Sequence, residues 1–217
     1  MLNMDMSLRQ VIDTAAMPWQ DSPARGVSRK PLEREARESG HTTSIVRYQP
    51  GSCFASHRHP MGEEILVLDG VFSDEDGDYP AGTYLRNPPG SQHAPFSEAG
   101  CTLLVKLNQF SPDDNRTVRL NTGLTPWQPG IGGLMVMPLH QFGTEQTALV
   151  KWPANEHFSR HRHVGGEEVL VLSGEFCDEH GRYPEGCWIR SPHLSEHQPF
   201  VTQPTLIWVK TGHLPAE

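Results

Sequence analysis

His57 and His59 stand two residues apart, so in an extended strand both imidazoles leave the same face. A carboxylate follows at Glu63 or Glu64, and His93 returns after the turn signal Pro88-Pro89-Gly90. Three nitrogens and one oxygen suit Zn, Fe(II), Mn, Ni or Co, whereas Mg or Ca would want oxygen donors. The set recurs as His161, His163, Glu167 or Glu168, and His197. Spacing leaves the choice within each Glu pair open, because a turn intervenes and residues 65–68 are apolar on both faces. A surface H-x-H is weak evidence alone, but the four-residue pattern arises by chance at roughly one in 10⁵ per starting position. Its second copy lies at a fixed offset.

That offset reveals an internal repeat. Residues 51–106 laid on 155–210 give 26 identities in 56 positions without a gap. More than half the positions have changed while every candidate ligand remains, which argues for two metal sites, one per repeat. Thr43 to Tyr48 also matches Thr147 to Trp152, and Pro18-Trp19-Gln20 matches Pro126-Trp127-Gln128. The loop signals Pro112-Asp113-Asp114-Asn115 and Asn121-Thr122-Gly123 place a boundary near residue 120, giving units 1–120 and 121–217.

The elements that must position these residues are short. Twenty Gly and nineteen Pro among 217 residues punctuate runs rich in Val, Ile, Leu, Phe and Tyr, which predicts an all-β chain of antiparallel sandwiches or barrels. Residues 7–16 read either as a short helix capped by Ser7 or as an extended edge segment, the second being favoured. The chain is 36% hydrophobic and 20% charged, the composition of a globular protein. A net charge of −8 with no basic stripe argues against nucleic-acid binding. The sequence shows no apolar run of membrane-span length and no basic, apolar start of a signal peptide, so a cytoplasmic location without membrane association is expected. Cys53, Cys101, Cys177 and Cys187 form no C-x-x-C pair and read as buried thiols, with a redox role for Cys53 as the less favoured alternative.

These residues resemble the cupins. The motif G-x5-H-x-H-x3-E-x6-G fits Gly51, His57, His59, Glu63 and Gly70, and G-x5-P-x-G-x2-H-x3-N fits Gly82, Pro88, Gly90 and His93, with Ser97 in place of the final Asn. The second repeat departs at Asn155, Leu194 and Val201, which spares the ligands. The resemblance implies two tandem cupin jelly-roll barrels, a bicupin, and assigns the metal ligands as His57, His59, Glu63, His93, His161, His163, Glu167 and His197. Residues 62–75 and 77–84 further resemble the cupin domain of ChrR-type anti-sigma factors. That family joins a zinc-bearing cupin to an N-terminal helical zinc domain that holds a sigma factor during the response to oxidative stress. Residues 1–40 contain no His–Cys–Cys cluster, so the resemblance reaches the cupin only.

The resemblance implies a divalent transition metal in each unit, with Zn favoured and Fe(II), Mn or Ni as alternatives. It implies a stress-response sensor or regulatory module in transcription, with a regulatory protein partner. The alternative is a metal-dependent dioxygenase acting on a small diketone or aryl ketone held in the barrel. A homodimer is expected, since cupins often pair through their sheets. Arg86 and Arg190 read as solvated strand residues rather than as inward carboxylate holders, Tyr79 and Tyr183 as turn packing, and Phe54, Phe158, Tyr84 and Trp188 as core or pocket wall.

Overall fold

The computed structural model describes residues 1–216. Among them there is no α-helix, and the strands form two compact units. In unit 1 the main sheet runs Val118–Asn121, Thr83–Asn87, Glu63–Asp74, Cys101–Leu107, Thr42–Tyr48, Val27–Arg34, Gln20–Asp21, each neighbour antiparallel. The pairs His57–His59 with Ser91–His93, and Ser52–Cys53 with Phe96–Ser97, supply further strands. Unit 2 has the same order: Gln10–Asp13, Cys187–Ser191, Glu167–Ser173, Thr205–Thr211, Glu145–Trp152, Met135–Phe142, Gln128–Pro129. Equal strand order is what a gapless repeat requires.

The division differs from the sequence expectation chiefly at the leading segment, with the boundary between units at 125 and 126 rather than near 120. Unit 1 comprises Met1–Met4 and Met17–Thr125, whereas residues 5–16 belong to unit 2 with the chain from Pro126 on. The reason is register. Gln10–Asp13 is an edge strand bonded to Cys187–Ser191, and Thr14 donates from its backbone and hydroxyl to the Gly186 carbonyl at 3.2 and 2.7 Å. Val118–Asn121, which precedes the second Pro-Trp-Gln, meets Thr83–Asn87 of unit 1 in the matching way. The leading strand of each repeat therefore completes the barrel built by the other.

Alternation builds the interiors. Along Glu63–Asp74, Glu63, Ile65 and Val67 face the barrel, and Ile65 and Val67 join Val27, Tyr48, Phe72, Leu85, Leu103 and Val105 in its core. Unit 2 packs Val169, Val171, Trp152, Phe176, Ile189 and Ile207 in the same way. Arg86 and Arg190, expected in solvent, are fully buried instead. Cys53, expected inside, is exposed, because Ser52 takes the inward position of its two-residue strand; Cys101, Cys177 and Cys187 are buried.

Gly70 lies within the long strand, opposite Cys101 and beside a register irregularity. Its φ is +74°, and a Cβ there would lie 2.0 Å from the Gly100 carbonyl oxygen. Gly51 has φ +75° with nothing within 4 Å. Gly70→Ala should thus lose stability both to backbone strain, about 1–3 kcal/mol, and to the clash, while Gly51→Ala loses only the first. Urea denaturation of the two variants checks this, and equal losses would contradict the steric account. In the second repeat Asn155 and Leu194 replace Gly51 and Gly90 yet keep φ at +61° and +62°. The departures from the glycine pattern therefore leave the backbone path intact.

Candidate metal centres

In unit 1 the pairing of His57–His59 with Ser91–His93 sets His57 directly across from His93. Period two sends His57 and His59 inward and Arg58 out to solvent. Glu63 begins the adjoining long strand, and its Oε2 lies 3.4 Å from His59 Nε2 and 3.3 Å from His93 Nε2. One ligand atom from each of the four residues falls within 4.8 Å of the others. In unit 2, His161 lies across from His197, the Nε2 atoms of His163 and His197 are 3.0 Å apart, and Glu167 Oε2 is 3.6 and 3.5 Å from them.

The structure also separates the paired glutamates. Glu64 faces the other side of its sheet, accepting from the Tyr84 hydroxyl at 2.7 Å and from Arg86 at 3.1 Å. Glu168 accepts from the Trp188 indole at 2.7 Å and pairs with His213 at 3.1 Å. Tyr84 and Trp188 thus serve the far face, while Phe54 lines the barrel interior.

The donor set passes a chemical test for a metal. His59 Nε2 and His93 Nε2 are buried with no hydrogen-bond partner among the described residues, which is costly unless a further group meets them. Two further rings are oriented through their other nitrogen. His57 Nδ1 is 2.9 Å from the Ala55 carbonyl and His161 Nδ1 is 2.9 Å from that of Ser159, contacts that put the proton on Nδ1. Burial holds His59 and His161 below the usual histidine value, and burial with the neighbouring His197 and His161 takes His163 down to about 3. These imidazoles are neutral at pH 7, the form that ligates. Burial also works against the His197 proton, but the Asp178 hydrogen bond and Glu167 outweigh it and raise that group.

Outside the ligands lies a set of residues to which the sequence assigned no role, save Tyr79 and Tyr183, which read as turn packing. His93 Nδ1 is 3.2 Å from Asp74, whose other oxygen accepts from the Tyr79 hydroxyl at 2.9 Å, and Arg119 donates to that hydroxyl at 3.2 Å. In unit 2, His197 Nδ1 is 3.5 Å from Asp178, Tyr183 donates to Asp178 at 2.7 Å, and Arg9 donates to Tyr183 at 2.7 Å. Identity of Asp74 with Asp178 and of Tyr79 with Tyr183 across the repeat was the available signal. The arginines gave none. Each sits on or beside an exchanged leading strand, and the strand pairing sets Arg119 level with Val11 rather than with Arg9.

The two centres differ in one supporting bond. Asn87 donates to Glu63 Oε2 at 2.8 Å, whereas Ser191 at the matching position makes no such bond, and burial raises Glu167 above the usual carboxylate range. A cavity of about 530 Å³ occupies unit 1, with His57, His59 and Glu63 in its wall beside Tyr48, Phe54 and Phe72.

Comparison with solved structures places the fold. A candidate dioxygenase from Nostoc punctiforme PCC 73102 is 18% identical with a TM-score of 0.79, over 96% of this chain and 84% of that one. A Cupin 2 conserved barrel domain protein from Leptotrichia buccalis is 10% identical with a TM-score of 0.64, over 97% of this chain and 99% of that one. A variant of Bacillus subtilis oxalate decarboxylase is 14% identical with a TM-score of 0.63, over 93% and 76%. No curated protein matches in sequence. The chain does match the ChrR Cupin-like domain in two consecutive segments, residues 7–111 and 115–215. With both repeats matched and both folded as cupin barrels, this all-β bicupin belongs to the ChrR Cupin-like domain family.

Proposed function

We propose that this bicupin holds one divalent transition metal per barrel through His57, His59, Glu63 and His93 and through His161, His163, Glu167 and His197, and that unit 1 is a metal-dependent dioxygenase for a small organic substrate. The observation that carries the enzymatic reading is the cavity of about 530 Å³ walled by three of the four unit 1 ligands, a volume that suits a small molecule. Fe(II), Mn or Ni bound there would supply a redox-capable Lewis acid with positions to spare beyond four protein ligands. The protein's part is to orient and to keep water out. Ile65, Phe72, Leu103 and Val105 make the wall apolar. Tyr48 stays a neutral phenol, since burial, with the Glu63 charge, pushes it far above the usual value.

A second reading is favoured by the family match: the same centres serve a regulatory module, with Zn closing each site and contributing folding energy. Metal identity and oxygen uptake separate the two. Protein purified from its native host without added metal should contain about two transition-metal ions per chain, one for each four-ligand cluster. Fe(II)-loaded protein should consume oxygen with some members of a diketone and aryl ketone panel. Tight Zn with no uptake would overturn the dioxygenase, and fewer than about 0.3 ions per chain would overturn both readings.

A further inference from the structure

We infer that the unit 1 cavity binds an organic acid with an apolar body, its carboxylate held by Arg34 and Arg29 on the wall away from the metal ligands. This rests on unit 1 being the small-molecule site and names the class of molecule it takes. The cavity wall contains Arg29, Arg34, Arg37 and Arg58 against only two acids, Glu38 and Glu63, and Glu63 belongs to the metal cluster. Glu38 is engaged by Arg29 at 3.0 Å. Arg34 is half-buried and lies beside Arg29 and Arg37, with Glu38, already bonded to Arg29, as the one nearby anion. Three guanidinium groups thus share one carboxylate at this wall, and a further anion would offset the remaining positive charge.

The backbone has to depart from regularity to make this site. Arg29 and Arg34 are five apart on Val27–Arg34 and would face opposite sides of a regular strand. The register shift between Pro31 and Glu33 brings both to the cavity side, opposite Val46 and Thr42, and leaves Glu33 on the far face bonded to Thr43 at 2.7 Å. Such irregularities re-aim side chains next to functional sites.

The same registers set the length of the ligand. Glu63, Leu107, Thr42 and Arg34 form one row across four adjacent strands. Three inter-strand steps amount to about 14 Å along the wall, so a molecule touching both the metal cluster and Arg34 needs a body of several bonds. Val46, Leu107 and Val105 supply an apolar surface between the two ends. A phenylalkanoic or medium-chain oxo acid fits this description, and a two-carbon diacid is too short.

Titration calorimetry of the full chain, metal-free and Zn-loaded, with 5-phenylvalerate, its neutral amide 5-phenylvaleramide, and oxalate tests the assignment. Phenylvalerate should bind both forms at least about tenfold tighter than the amide, because a charge-assisted pair is lost in the amide. Arg34→Gln should remove that preference without weakening the amide, Arg34→Lys should restore part of it, and Arg25→Gln, outside the cavity, should leave it unchanged, all with unaltered melting curves. No binding of either phenyl compound, equal affinity for acid and amide, an unaffected Arg34→Gln, or oxalate binding more tightly would each overturn the inference. Acid binding that needs Arg34, without oxygen uptake by Fe(II)-loaded protein, would sink the dioxygenase and leave this site standing. Oxygen uptake with neutral ketones and no preference for acids would do the reverse.

Discussion

His59→Ala and His163→Ala should each remove one metal ion per chain and destabilise the unit that carries the change. Metal that binds only the folded state adds stability as RT ln(1 + [L]/Kd), about 4 kcal/mol when free metal is a thousand times Kd. A missing imidazole uncouples that gain from folding. The two units should respond unequally. In unit 1 Asn87 already satisfies Glu63 at 2.8 Å. In unit 2 the Nε2 atoms of His163 and His197 lie 3.0 Å apart and Glu167 is buried with its proton affinity raised, so more electrostatic strain awaits relief. Chelation should therefore lower the stability of unit 2 more than that of unit 1. Metal analysis together with thermal unfolding of wild type, His59→Ala and His163→Ala, before and after chelation, provides the check. Unchanged metal content in either variant excludes that histidine as a ligand, and chelator-insensitive unfolding would show that the clusters do not couple metal to folding.

Arg86→Met should cost about 3–5 kcal/mol, because it takes the buried guanidinium away from two buried carboxylates, Glu64 and Asp114. Arg86 is fully buried, donates to Asp114 at 2.6 Å and to Glu64 at 3.1 Å, and stacks over the Phe110 ring at 3.8 Å. Arg182 makes a contact of similar length with Glu175, 2.7 Å, but its side chain is 58% exposed. Arg182→Ala should thus cost no more than about 1 kcal/mol. The two arginines make contacts of similar length and differ most in burial, with the second acid and the Phe110 ring adding to the loss at Arg86. Urea denaturation of both variants measures it, and similar losses would refute the claim that desolvation decides what these pairs are worth. The same buried network explains why Glu64 cannot serve the metal: its oxygens are already taken by Tyr84 and Arg86 on the opposite face.

Much of the candidate site was legible because it is written in short-range terms. Two-residue spacing in His57–His59 is enough to put both rings on one face, and a gapless repeat guarantees that whatever one unit builds the other can build again. The supporting residues were half legible. Asp74 and Tyr79 recur as Asp178 and Tyr183, yet nothing in their spacing says that they orient His93 and His197. The environment of Arg86 was misread because a strand arginine is usually solvated, and only knowledge of the opposing strand puts Glu64 beside it.

By itself the sequence determined the all-β class, the duplication and six histidine ligand candidates with a glutamate pair beside each set, since each follows from local period and composition, while the choice of Glu63 and Glu167 came from the cupin resemblance. The tertiary structure alone decided that Gln10–Asp13 completes unit 2, that Glu64 meets Arg86 on the far face, and that Arg29 and Arg34 share one wall. All three depend on which distant strand pairs with which and in what register. A one-residue slip reverses every side chain, and no local pattern records it.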